Sequence, residues 1–310
     1  REALEPQLLE LQAMAGRLRA ALDALRLALR PGPDAPELVR WVERRAAGPG
    51  REPAVVLRAA PVEPGALLRE ALFERVETAV LTSATLATRD GFDFLRGRLG
   101  LDRGGLPVES AVYPSPFDFE EQTLLAIATD LPEPGAEESS AAFDRAVADV
   151  VEELVAVSDG GVLVLFTSYR SLQAVAADLR QRGVDGRWPL LVQGEAPRGR
   201  LLSSFTASGR AVLLGVASFW EGVDVPGEPL RGLVVAKLPF LVPTEPVTAA
   251  RIEAIAREGG NPFREYVLPE AALRLKQGFG RLVRSRADHG AVVLLDRRVV
   301  TRSYGRYFLE

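Results

Sequence analysis

Residues 162–182 read VLVLFTSYRSLQAVAADLRQR. The run VLVLF (162–166) is continuously apolar, as a strand covered on both faces must be; a strand with one wet face would alternate. A hydroxyl-bearing turn follows, and residues 170–182 carry helical spacing. Strand, turn and helix in that order form the crossover unit of a parallel sheet. The pattern recurs. Apolar runs lie at LLAIA (124–128), PLLV (189–192), AVLLGVA (211–217), LVVAKL (233–238) and AVVLL (291–295). Helix-patterned segments at 141–158, 197–206, 245–258 and 269–283 separate or follow them. From residue 120 onward the sequence predicts an α/β domain, a central parallel sheet flanked by helices. Such sheets bind ligands in the loops at the carboxyl ends of their strands.

Upstream the texture differs. Leu4, Leu8, Leu11, Leu18, Leu22, Leu25 and Leu29 fall at steps of three, four and seven, which predicts an amphipathic helix burying one stripe. PGPDAP (31–36) ends it, a second short helix is expected over 37–45, and a Gly/Pro turn covers 48–53. AVVL (54–57) and TAVL (78–81) read as further buried strands.

The chain has 310 residues, 47% hydrophobic and 26% charged, which excludes general disorder. No apolar run reaches the roughly 18–20 residues of a membrane span. With no Cys, one His and one Met, the residues hold no disulfide, no cysteine zinc site and no iron–sulfur cluster; no metal site is expected. The net charge of −4 gives no global basic field, so any nucleic-acid contact must come from a local groove. The chain opens with Arg1, shows no signal or transit pattern, and reads as a piece of a longer cytoplasmic polypeptide.

Three strand ends carry unusual loops: TSATL (82–86), TSYRS (167–171) and SFWEGVDVPG (218–227). Hydroxyl residues between a strand and a helix can offer donors to a phosphate, or simply cap the helix, as Ser168 is placed to do. A fourth segment is RLKQGFGRLVRSR (274–286). On one continuous helix Gln277, Arg281 and Arg284, at i, i+4 and i+7, would lie within roughly 60° of one another. That face is either a phosphate clamp or a solvated arginine face. Trp220 is either core or a stacking platform; the alternation predicts Phe219 buried and Trp220 nearer the groove.

The order S-A-T, F-T-S-Y, S-F-W-E-G-V-D-V-P-G, K-L-P-F, Q-G-F-G-R-L-V-R-S resembles the C-terminal part of the DinG/XPD family of superfamily 2 DNA helicases, nearer the bacterial DinG branch. TSATL resembles motif III, LFTSY (165–169) motif IV, SFWEGVDVPG motif V and QGFGRLVR (277–284) motif VI. The flanks KLPFLVPTEP (237–246), YVLPEAALRLK (266–276), DRR (296–298) and YGRYFL (304–309) join them. Motifs V and VI together are highly specific; III and IV alone would be weak.

The resemblance implies three segments: 1–53 as a helical piece that could end an inserted arch, 54–119 as the end of helicase domain 1 with motif III, and 120–310 as RecA-like helicase domain 2. Residues 54–110, parted from that first domain, could pack differently. By resemblance, Arg284 is the arginine finger and Arg281 a second phosphate-side arginine. Gln277 contacts the γ-phosphate side, and Glu221, Gly222 and Asp224 lie on the nucleotide side. Thr167, Ser168, Tyr169, Arg170, Ser218 and Trp220 face single-stranded DNA, and Ser83 and Thr85 couple the two. The family moves 5′→3′ on single strands in repair or replication.

ATP and Mg²⁺ would be held mainly by the N-terminal helicase domain. Neither lysine, Lys237 in Ala-Lys-Leu or Lys276 in Leu-Lys-Gln, sits in the Gly-Lys-[Ser/Thr] of a phosphate loop, so the chain alone is expected to be inactive. The competing expectation is a non-catalytic helicase-like module that binds DNA or protein. A small-molecule transferase with a doubly wound fold is discriminated against, because no G-x-G-x-x-G follows any strand.

Overall fold

The computed structural model describes residues 5–30, 32, 37–45, 52–134, 137–220, 230–283 and 285–309. Its elements begin with α1 (Glu5–Leu29), β1 (Leu38–Arg45), β2 (Ala54–Pro61), α2 (Gly65–Leu68), α3 (Asp93–Leu99), α4 (Phe119–Gln122) and β3 (Thr123–Ile127). There follow α5 (Glu137–Ser158), β4 (Val162–Leu165), α6 (Tyr169–Gln181), β5 (Leu190–Val192), α7 (Arg198–Ser208), β6 (Val212–Gly215) and α8 (Ala217–Trp220). The last are β7 (Gly232–Val235), α9 (Pro246–Arg257), α10 (Leu268–Phe279), β8 (Gly290–Leu294), α11 (Arg298–Thr301) and α12 (Arg306–Leu309). They form two compact units: Arg1–Ala79 with Arg96–Leu106 and Val242–Phe263, and Val80–Leu95 with Pro107–Leu241 and Arg264–Glu310. Residues 242–263, read above as part of segment 120–310, thus group with the first unit, and residues 80–95 with the second.

The second unit is built on a six-stranded parallel sheet, in the order β3-β8-β7-β4-β6-β5. Alternation along β4 explains its sequence. Val162 and Val164 enter one core with Phe143, Val147 and Val151 of α5 and Leu172, Val175 and Leu179 of α6. Leu163 and Leu165 enter the other, with Leu201 and Phe205 of α7, Phe219 and Trp220 of α8 and Leu275 of α10. Every β4, β6 and β7 residue is buried, and each buried Val, Leu or Phe side chain stabilises the fold by about 1.5–3 kcal/mol. Caps set the helix ends. The Ser168 hydroxyl accepts from the Ser171 amide (3.3 Å) at the start of α6, and Gly209 closes α7 at φ 62°.

The first unit holds α1, a β1–β2 hairpin paired antiparallel from Leu38↔Pro61 to Arg45↔Ala54, and α9. Arg251 of α9, only 5% exposed, donates to the Val62 carbonyl (3.0 Å) and to Glu63 (3.1 Å).

Four expectations are corrected. Residues 38–45 are a strand, not a helix: its backbone pairs with β2, and Glu43 bonds both Arg58 (2.7 Å) across the pair and Arg45 (3.0 Å). AVVL (54–57) belongs to that hairpin and is partly wet, with Val55 and Leu57 exposed. TAVL (78–81) forms no strand, and Val80 is 79% exposed; among the described residues no strand pairs with it, and an apolar run without a partner for its backbone hydrogen bonds has no reason to be one. The helix over 5–29 exists, but its stripe is not buried: Leu11, Leu18, Leu22, Leu25 and Leu29 are exposed.

At the amino ends of the strands, Arg231 ties three loops by donating to the carbonyls of Ser158 (2.8 Å), Asp159 (2.8 Å) and Gly209 (3.0 Å). Gly160, at φ 82°, packs so closely that a Cβ would stand 1.9 Å from the Arg210 carbonyl oxygen. Gly160→Ala is therefore expected to destabilise the chain by at least about 1–2 kcal/mol, read as a lowered midpoint in a thermal melt. An unchanged midpoint contradicts this close packing.

Candidate functional site at the carboxyl edge of the sheet

Parallel strands bring the loops after β4, β6, β7 and β8 to one edge. After β4, Thr167, Ser168, Tyr169 and Arg170 are all exposed. Ser168 caps α6, as above. Tyr169, 52% exposed, accepts a hydrogen bond on its hydroxyl from Gln193 Nε2 (2.6 Å). The same Gln193 accepts from the Val216 amide on its Oε1 (2.7 Å). One amide after β5 thus fixes both the Tyr169 hydroxyl and the backbone leaving β6. Sequence reasoning passed over Gln193; its signal was a polar residue directly after a buried strand. Arg170 donates to Ser140 of α5.

After β6, both aromatics are buried: Phe219 fully, Trp220 to 3% exposure. The expectation that Trp220 lies nearer the groove is therefore corrected. Its Nε1 donates to the Phe166 carbonyl (3.1 Å), and its ring lies 3.1 Å from where a Cβ on Gly278 would be. An indole keeps its N–H bonded when buried, and here the free carbonyl at the end of β4 is the acceptor. A Trp so enclosed offers no face to a base. Glu221, Gly222, Asp224 and the side chain of Ser218 lie outside the described residues, as does Arg284.

The single-helix argument for Gln277, Arg281 and Arg284 is also corrected. Helix α10 ends at Phe279, with Gly280 at its C-cap. The chain turns there, with the Arg281 amide bonded to the Gly278 carbonyl (3.1 Å), and Leu282 and Val283 enter the core. The structure still brings motif residues together. Gln277 Nε2 lies 3.4 Å from Thr85 Oγ1, and the Ser83 hydroxyl accepts from the Thr85 amide (3.2 Å). Gln277 Oε1 is buried without a hydrogen bond among the described residues, an acceptor open to a water or hydroxyl. Arg281 Nη2 donates to the Trp220 carbonyl (3.1 Å), which fixes the guanidinium beside the start of motif V.

After β8, Asp296 is fully buried and accepts from the Leu238 amide (2.9 Å) and from Arg298 Nε (2.8 Å) and Nη2 (2.6 Å). That hydrogen bonding holds the Arg298 guanidinium above its usual range, against burial. Asp296 therefore links DRR to K-L-P-F, a link the sequence did not announce. Among the described residues no group of three or more His, Asp or Glu fits a metal ion, and no helix is long and apolar enough to cross a membrane. The chemistry on this edge is that of amide, hydroxyl and guanidinium groups, which suit phosphate oxygens.

Trp220→Ala is expected to cost about 3–5 kcal/mol of stability, and Trp220→Phe about 1 kcal/mol, through the unpaired Phe166 carbonyl. Thermal or urea melts check this. A stable Trp220→Ala chain with sharply weakened oligo-dT binding contradicts the core assignment.

Residues 151–310 match the helicase C-terminal domain family. Among curated relatives, 281 aligned residues are 38% identical to the 3′-5′ exonuclease DinG of Bacillus subtilis, covering 90% of this chain and 30% of that protein. The ATP-dependent DNA helicase YoaA of Escherichia coli is 37% identical, over 78% of this chain and 36% of that one. The chain thus spans about a third of the length of the curated relatives it matches. In fold it resembles an XPD helicase, with TM-score 0.61 at 19% identity, covering 82% of this chain and 44% of that one.

Proposed function

The chain belongs to the helicase C-terminal domain family, of the DinG/XPD type within superfamily 2, and we propose that it is the second motor domain of an ATP-dependent 5′→3′ DNA helicase working on single strands in repair or replication. The observation that carries the reading is the meeting of motifs III, V and VI: Gln277 at Thr85, and Arg281 on the Trp220 carbonyl. A phosphoryl transfer needs positioned cations and a polar group at the γ-phosphate. Arg284 is the arginine finger, Arg281 its fixed neighbour, and Gln277 the γ-phosphate contact. Glu221, Gly222 and Asp224 line the nucleotide side, and Ser83 and Thr85 transmit its state. ATP and Mg²⁺ are held by the phosphate loop of an N-terminal helicase domain, the partner of segments 54–119 and 120–310; the whole acts in the cytoplasm. DNA meets Thr167, Ser168, Tyr169, Arg170 and Ser218. Trp220 is dropped from that set.

Two measurements test this. The chain alone is expected to show no ATP turnover with Mg²⁺ and oligo-dT; turnover that persists through further purification contradicts it. In a protein carrying both motor domains, Arg284→Ala is expected to lower kcat by on the order of 10³-fold and leave oligo-dT affinity intact. Normal turnover with weakened DNA binding overturns the assignment and favours a DNA-binding module.

A further inference from the structure

Strands β4, β6 and β5 are neighbours in the sheet, and Gln193 stands directly after β5. Its backbone is held. The Gln193 amide donates to the Leu214 carbonyl of β6 (3.0 Å), and the Glu195 amide to the Val192 carbonyl (3.2 Å). Arg180 of α6 donates to both carboxylate oxygens of Glu195 (2.8 Å each), so the loop is tied to the helix that begins at Tyr169. From this fixed base the Gln193 side chain spans the end of β6 and meets the loop after β4.

Chemistry sets the direction of its two hydrogen bonds. The Val216 amide can only donate, and Val216 is buried, so Gln193 turns Oε1 to it (2.7 Å). Nε2 then faces the Tyr169 hydroxyl and donates to its oxygen (2.6 Å). The hydroxyl keeps its own proton, and Tyr169 is 52% exposed. Among the described residues no acceptor takes that proton, which leaves it for an acceptor oxygen of a ligand.

A purely structural glutamine has no need of the second bond. Capping the Val216 amide takes only Oε1, and water satisfies an exposed tyrosine hydroxyl. What the second bond adds is a connection. Val216 opens the turn that carries motif V: the Phe219 amide donates to the Val216 carbonyl (2.7 Å), α8 runs over Ala217–Trp220, and the Trp220 carbonyl accepts from Arg281 of motif VI (3.1 Å). Hydrogen bonds and one helical turn therefore form an unbroken line from the Tyr169 hydroxyl to the Arg281 guanidinium. When the hydroxyl donates to a ligand oxygen, its own oxygen becomes a stronger acceptor, and the Gln193 amide is polarised in the same sense. The line tightens, and no group in it changes partner.

We propose that Gln193 is a positioning residue: through it, a single strand that takes the Tyr169 proton holds the motif V turn and Arg281 in place for ATP turnover. This rests on the motor-domain reading above and adds a residue outside the helicase motifs.

The test uses a protein carrying both motor domains, with Gln193→Glu and Tyr169→Phe, singly and together. Glutamate keeps an acceptor for the Val216 amide and loses the donor to Tyr169, so the melting midpoint is expected to hold. The readout is the ratio of kcat for ATP with saturating oligo-dT to kcat without it. Each single variant is expected to lower this ratio about fivefold, the contribution of one hydrogen bond. The double variant is expected to lower it no further than either alone, because both break the same line. Gln193→Met, which loses both bonds and adds no charge, is expected to lower the ratio at least as much. If Gln193→Glu leaves the ratio unchanged, whether or not the midpoint falls, Gln193 only caps the Val216 amide and the inference is overturned. A double variant that shows the product of the two single losses overturns it too, since the residues then act separately and the glutamate acts by its charge. Stimulation of the unmodified protein by oligo-dT that the variants leave intact overturns this inference alone. No stimulation of the unmodified protein overturns the motor-domain reading together with it.

Discussion

The hydrogen bond from the Trp220 indole to the Phe166 carbonyl is the contact on which the site's geometry depends. It joins the end of β4 to the short helix after β6. Trp220 also packs on Gly278 of α10 and receives Arg281 on its own carbonyl. One residue thus joins three segments that are far apart in sequence, and a Cβ at 278 would crowd its ring at 3.1 Å. A buried N–H without an acceptor costs about 1–3 kcal/mol, so the indole and the strand-end carbonyl specify each other. The guanidinium of Arg281 is placed as a consequence.

Two other side chains work in the same way on neighbouring loops. Gln193 spans Tyr169 and the Val216 amide, and Asp296 spans Leu238 and Arg298. Each satisfies a backbone amide at a strand end, where the ladder stops and a donor would otherwise be lost. Each does so with a polar side chain from a different strand. The loops at this edge are fixed from beneath by amide, carboxylate and indole groups, while Thr167, Tyr169 and Arg170 stay exposed.

Much of this was legible in the sequence. Strands β4, β6 and β7 could be read because a strand covered on both faces must be apolar throughout; the run of β3 was apolar too, although Leu124 and Leu125 at this sheet edge are exposed. The helicase-type order of motifs followed from residues alone, as did the buried Phe219 and the cap at Ser168. What failed depended on partners distant in sequence. β1 needs β2, TAVL (78–81) pairs with no strand among the described residues, and α10 stops at Phe279 before the periodicity of its arginines can continue. Trp220 was misread because alternation along a short loop says nothing of an acceptor 54 residues away. Asp296 and Gln193 gave no signal beyond polarity after an apolar run.

The central claim is that Trp220 is an enclosed anchor for motifs IV, V and VI and not a surface for bases. Single-tryptophan fluorescence tests it most directly. With Trp41 and Trp188 replaced by Phe, the emission of Trp220 is expected to be blue-shifted, resistant to iodide, and unchanged when oligo-dT saturates the chain. Red-shifted emission, quenched by iodide and by oligo-dT, would contradict the account.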